Sequence, residues 1–139
     1  MILLDTSGLF AALNPDQAQH GRARDALARE EPPFVISPFV LAELDYFLVT
    51  RGSVEAELAF LVEVAQGAYD LAGFAAADVA AATMVIENYR DIGIGLADAS
   101  IVVLAGKLGT DRVLTLDERH FRALRTPAGA TFTILPADA

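Results

Sequence analysis

The chain has 139 residues, no cysteine, and 19 acids against 10 Lys and Arg, for a formal charge of −9. That length suits one domain with a substantial core, residues 1–139, and the missing thiols exclude disulfides, thiolate catalysis and Cys-based zinc sites. The acidity opposes contact with a polyanion unless local basic groups or bound cations reverse the field.

Met1 to Leu4 is a short apolar run, as expected of a strand buried in a parallel sheet, and it stops at Asp5. Asp5, Thr6 and Ser7 offer side-chain acceptors ahead of a helix opening at Gly8-Leu9-Phe10, so Asp5 is either an N-cap or a functional carboxylate at a strand's carboxyl end. Asn14-Pro15 breaks that helix, and Asp16 to Glu31 reads as a polar helix with a thin apolar stripe at Ala23, Ala26 and Leu27. Phe34 to Ile36 is a second short strand. Ser37-Pro38 then opens a helix running to Arg51, with Ser37 as N-cap and proline at the first helical position. Within it Glu43 and Asp45 stand roughly 200° apart at about 100° per residue, so only one of them can face a given site.

Val54 to about Gln66 reads as a further helix closed by Gly67, and Tyr69 to Leu71 as a third strand. Ala75 to Tyr89 is an alanine-rich helix followed by the turn Asp91 to Gly95. Ala97 to Leu108 is a helix in which Asp98 heads a stripe of Ile101, Val102 and Ala105. Arg112 to Leu116 is a strand ending at Asp117, and Thr131 to Leu135 a last strand. No apolar run approaches the roughly 20 residues that cross a bilayer, because the longest near-miss, Leu71 to Ile86, is broken by Asp78. With no basic leader before Met1 to Leu4, a cytoplasmic protein without membrane contact is expected. Hydrophobic residues nevertheless make up 54%, which points to apolar surface covered by a partner or a second copy.

Alternating strands and helices argue for an α/β sandwich with a mainly parallel sheet. Asp5 and Asp117 end strands, Asp98 opens a helix, and Glu43 lies about two turns into the helix after the second strand, all at one edge of such a sheet. Two carboxylates about 6 Å apart repel by roughly 3 kcal/mol at an effective dielectric near 20, so four of them demand bound protons or a hard divalent cation. A cation such as Mg²⁺ or Mn²⁺ is the stronger reading, with Thr6, Ser7 and Thr115 as supporting hydroxyls.

The segments LLDTSGLF, SPFVLAELDYFL, IGLADASIVVLA and VLTLDERHF, in that order, resemble the four acidic motifs of PIN-domain ribonucleases, and in particular of the VapC toxins of VapBC toxin-antitoxin systems. The resemblance implies a PIN-domain α/β/α sandwich with a central parallel five-stranded sheet. It also implies a Mg²⁺-dependent endoribonuclease, with Mn²⁺ as substitute, that cuts structured RNA such as tRNA or a ribosomal RNA loop. Motif by motif, Asp5, Glu43, Asp98 and Asp117 would be the catalytic metal ligands, supported by the hydroxyls of Thr6 and Thr115. A VapB-type antitoxin is the implied inhibitor, and apolar helices suggest a homodimer.

Other residues weigh less. Arg112, Arg119, Arg122 and Arg125 fall within fourteen residues and can meet RNA phosphates, Arg112, Arg119 and Arg122 foremost, although surface ion pairs explain such a cluster equally well. His20 reads as a surface residue and His120 as local packing or capping. A phosphoacceptor module needs a lysine at a late strand end, whereas Lys107 is inside a helix, and a haloacid-dehalogenase-like phosphatase needs an aspartate where Ser7 stands. The non-enzymatic alternative is an acidic binding module holding a structural cation or a basic peptide.

Overall fold

The computed structural model describes residues 1–139. Its centre is β1 (Ile2–Leu4), three apolar residues buried on both faces. β1 pairs in parallel with β2 (Phe34–Ile36) on one side and β4 (Arg112–Leu114) on the other. β3 (Asp70–Leu71) extends the sheet beyond β2, and β5 (Thr133–Leu135) beyond β4, giving the order β3-β2-β1-β4-β5 with every pairing parallel. The order reverses direction at β1, so the β1/β4 boundary is the topological switch point of the sheet, where open α/β folds bind ligands beyond the strands' carboxyl ends.

The connecting helices are α1 (Thr6–Leu13), α2 (His20–Ala28), α3 (Pro38–Arg51), α4 (Val54–Ala65), α5 (Ala76–Asn88), α6 (Leu96–Leu108) and α7 (Glu118–Ala123). α6 is the most deeply packed: Ala99 through Ala105 are all buried, because small and β-branched residues follow one another with no polar interruption except Ser100. α3 begins as its sequence demands, with the Ser37 hydroxyl accepting from the amides of Phe39 and Val40. The Ser100 hydroxyl donates to that of Ser37 at 2.8 Å, tying the start of α3 to α6 inside the core.

Three expectations need correction. The polar helix is shorter than Asp16 to Glu31, because Asn14 diverts the chain into turns: its side chain accepts from the Asp16 amide and its carbonyl from the Gln17 amide, so α2 starts only at His20. The strand expected from Arg112 to Leu116 ends at Leu114, and the last strand starts at Thr133 rather than Thr131. α7 has no counterpart among the expected elements. It has six residues, too few for an apolar stripe to show, and Asp117 caps it by accepting from the His120 amide at 3.0 Å.

Candidate active site

β1 and β4 run in register, Leu4 opposite Leu114, so the residues that follow them emerge side by side. Asp5 takes an extended backbone at this point, and its amide donates to the Leu114 carbonyl, which extends the ladder by one bond. Its side chain does not cap α1. Instead Asp5 Oδ2 accepts from the hydroxyls of Thr115 at 2.6 Å and Ser7 at 3.0 Å. The hydroxyls are themselves held: Ser7 Oγ accepts from the Leu116 amide, and Thr115 Oγ1 from the Asp117 amide, both at 2.9 Å. The Thr115 amide still donates to the Leu135 carbonyl of β5, while its hydroxyl and the Leu116 amide turn to Asp5 and Ser7, so the ladder stops there. Gly8 makes the close approach possible, since a Cβ there would sit 2.5 Å from the Leu114 carbonyl oxygen.

Asp5 is only 5% exposed, and burial pushes its carboxyl up to about 6. The Thr115 hydrogen bond opposes that rise, the charge of Asp98 adds to it, and the Ser7 hydroxyl and Thr6 amide oppose it again. Asp98, in the first turn of α6, is likewise raised, first by burial, with Asp117 and Glu43 adding to the rise and His120 opposing it. These carboxyls line one cleft of about 410 Å³, whose wall also includes Thr6, Phe10, Gln17, Phe47, Arg51 and His120.

All four acids expected from the sequence line this cleft. Asp45 does not: it points toward α4, where its proximity raises the carboxyl of Glu57, so Glu43 is the member of the α3 pair that faces the cleft. Of the two supporting hydroxyls, Thr115 bonds Asp5 directly, whereas the buried Thr6 Oγ1 has no partner. The expected arginines are dispersed. Arg112, at the amino end of β4 and thus the opposite edge of the sheet, is locked to Glu30. Arg122 is paired with Asp138 and Glu118, and Arg119 is exposed on α7 without an ion pair.

His120, read from the sequence as a packing or capping residue, is part of the site. Its Nδ1 lies 3.1 Å from Asp98 Oδ2 and 2.9 Å from Asp117 Oδ2, so a proton on that nitrogen is donated to Asp98 while the ring sits against Asp117. A candidate ligand atom from each of Asp98, Asp117 and His120 falls within 4.8 Å of the others. The signal was present in the Asp117-to-His120 spacing: a capping Asp at a helix start brings the side chain three residues on back over itself. The donors suit a hard divalent cation. They are mostly carboxylate oxygens, with the orphaned Thr6 hydroxyl beside them as a further polar group, and burial, helped by neighbouring acids, raises the proton affinities of Asp5 and Asp98.

A parallel sheet with a carboxylate cluster at its switch point defines an α/β protein with an acidic cleft suited to a divalent cation. The PIN domain model matches residues 2–126. Ribonuclease VapC26 of Mycobacterium tuberculosis is 43% identical over 135 residues, 97% of this chain and 100% of that protein. The crystal structure of M. tuberculosis VapC20, a sarcin-ricin loop cleaving toxin, superposes with a TM-score of 0.78 at 23% identity, covering 84% of this chain and 90% of that one. VapBC2 from Rickettsia felis, bound to a DNA fragment from its promoter, gives 0.67 at 21% identity over 96% and 98% of the two chains. The chain belongs to the PIN-domain family, as a metal-dependent endoribonuclease of the VapC type, the toxin member of a VapBC toxin-antitoxin pair. That membership sets aside the non-catalytic binding module, and the family's partner is a VapB antitoxin. No helix is long and apolar enough to cross a membrane.

Proposed function

We propose that this ribonuclease cuts structured RNA, a tRNA or a ribosomal RNA loop, at the cleft lined by Asp5, Glu43, Asp98 and Asp117, with Mg²⁺ as the working ion and Mn²⁺ as substitute. The observation that carries the reading is the buried Asp5 carboxylate, fixed by two hydroxyls instead of serving its own helix, beside three further acids. A divalent cation held there supplies a Lewis acid for a phosphoryl oxygen and lowers the pKa of a water.

The residues divide the remaining work. Asp5 is anchored in one orientation by Ser7 and Thr115 and is the fixed point of the site. His120 spaces Asp98 and Asp117 and offsets part of their mutual repulsion. Glu43, on α3, is the most exposed of the four and suits the orientation of a water or a leaving group. The side chain of Thr6 offers a free hydroxyl for a phosphate oxygen. Of the three arginines expected to meet RNA, Arg119 alone carries no ion pair, and it is the one retained for that role. A VapB-type antitoxin inhibits at this cleft, and the toxin itself pairs as a homodimer.

The test is end-group analysis of RNA cut by the purified chain, with and without chelator. Products with 5′-phosphate and 3′-hydroxyl ends, lost in excess chelator and lost in Asp98→Asn, are expected. Products ending in 2′,3′-cyclic phosphate, or full cleavage in chelator, would overturn the reading.

A further inference from the structure

The acids that hold a cation do not explain how a chain of charge −9 keeps a polyanion in place, and the arginine cluster expected to do so is dispersed or neutralised by Glu30, Glu118 and Asp138. One cation does stand in the wall of the catalytic cleft. Arg51, in the last turn of α3, lines the same cavity as Asp5, Glu43, Asp98 and Asp117. Its guanidinium carbon sits 4.6 Å from the centre of the Phe47 ring and 5.9 Å from that of Phe10, and both rings also line the cavity. No carboxylate pairs with it, unlike Arg112 and Arg122.

We infer that Arg51, held against Phe47 and Phe10, is the subsite for an RNA backbone phosphate next to the one being cut. The inference rests on the ribonuclease reading and adds to it a residue that positions substrate. A favourable charge at a helix C-terminus accounts for an arginine at this position, but not for its folding over two aromatic faces into the cleft wall. Stacking on the faces restrains the guanidinium while leaving its five in-plane N–H donors directed outward, the arrangement that grips a phosphate bidentately. Glu43 is on the same helix two turns earlier, so a strand whose scissile phosphate lies over the acids runs on past Arg51.

The experiment uses the Asp98→Asn protein, silent in cleavage, and a fluorescein-labelled synthetic stem-loop RNA whose binding is followed by anisotropy across a salt series. Adding Arg51→Gln should weaken binding several-fold and reduce the salt slope by roughly 0.7 to 1, the loss of one phosphate contact. Arg51→Lys should keep the slope but bind less tightly than arginine. A neutral methylphosphonate is then placed at each loop linkage in turn. One position should penalise the Arg51 protein and leave the Arg51→Gln protein indifferent. An unchanged salt slope in Arg51→Gln, or the same methylphosphonate profile with and without Arg51, overturns the proposal while leaving the nuclease reading intact. Persistent cleavage by Asp98→Asn itself would strike that underlying reading instead, and with it this one. If Arg51→Gln fails to fold, the profile of Arg51→Lys decides: a profile without its single Arg51-dependent position overturns the assignment equally.

Discussion

Asp5 stores a conflict between charge and burial that its hydrogen bonds relieve only in part and a cation or a proton would relieve further. Its folded pKa of about 6 against an ordinary 3.8 corresponds to about 3 kcal/mol favouring the protonated form. Because the folded value lies above the unfolded one, the native state binds the proton more tightly. This stabilisation of the metal-free protein is complete below about 3.8 and is lost as pH rises to about 6. Asp98 shifts in the same direction for the same first cause. Asp5→Asn keeps an acceptor oxygen for Ser7 and Thr115 while deleting the charge, so the metal-free variant should melt several degrees higher than wild type at pH 7. That gain should shrink toward pH 4, while RNA cleavage falls at least a hundredfold. A lower melting temperature at pH 7 would mean that the carboxylate is structural. Thr115→Val tests the same network from the other side. It removes the hydrogen bond that holds the Asp5 pKa down, so the acid limb of the pH-rate profile should move to higher pH. It also orphans the Asp117 amide at a cost of about 1–3 kcal/mol in stability. An unmoved acid limb would show that Asp5 does not govern it.

The first turn of α1 and the end of β4 are fitted to one another with no room to spare. Gly8 lies against the backbone of Leu114 and Thr115, and a methyl group there would meet three backbone atoms at 2.5–2.7 Å. Backbone cannot swing aside as a flexible side chain can, so Gly8→Ala should destabilise by about 1–3 kcal/mol or more and displace Thr115 from Asp5. Metal affinity and cleavage should then fall together, even at temperatures where circular dichroism reports a folded chain. Normal metal affinity in folded Gly8→Ala would show that the spacing between these two elements is not what holds the site. The same junction explains which parts of the fold were legible. β1, β2, α3 and α6 follow from short apolar runs and clear caps, and their boundaries were read within a residue or two. The sequence makes β4 two residues too long because Thr115 and Leu116 have strand-like composition, whereas the Thr115 hydroxyl donates across to Asp5 and the Leu116 amide to Ser7. Nothing local announces such a bond, which joins positions more than a hundred residues apart. His120 is legible only in part: its spacing brings it to Asp117, but its place in the site depends on Asp98 arriving from α6.

Across the molecule, charge was legible as a total but not as a distribution. The arginine cluster looked like an RNA surface, yet Glu30, 82 residues away in the chain, neutralises Arg112 at the far edge of the sheet. Acidity concentrated in the cleft is what a regulator can exploit. An antitoxin that inhibits at this cleft, as proposed above, would offset the repulsion among Asp5, Glu43, Asp98 and Asp117 as a metal would, and an Arg or Lys on its C-terminal segment would do so with charge-assisted hydrogen bonds. It also needs apolar anchorage, and α4 presents Val54, Leu58 and Val62 at four-residue spacing, each at least half exposed, on one helical face. These residues already meet solvent, so Leu58→Glu should leave the isolated toxin's melting temperature within about 1–2 °C of wild type. The same change should weaken the toxin-antitoxin complex at least tenfold by calorimetry. A synthetic C-terminal antitoxin peptide should suppress cleavage and raise the apparent dissociation constant for Mn²⁺ in the same titration. Replacing its basic residues by glutamine should abolish the competition with metal while retaining part of the apolar affinity. If the intact partner binds tightly but neither metal affinity nor cleavage changes, inhibition works away from the carboxylates. Undiminished binding to Leu58→Glu would place the apolar contact on another face.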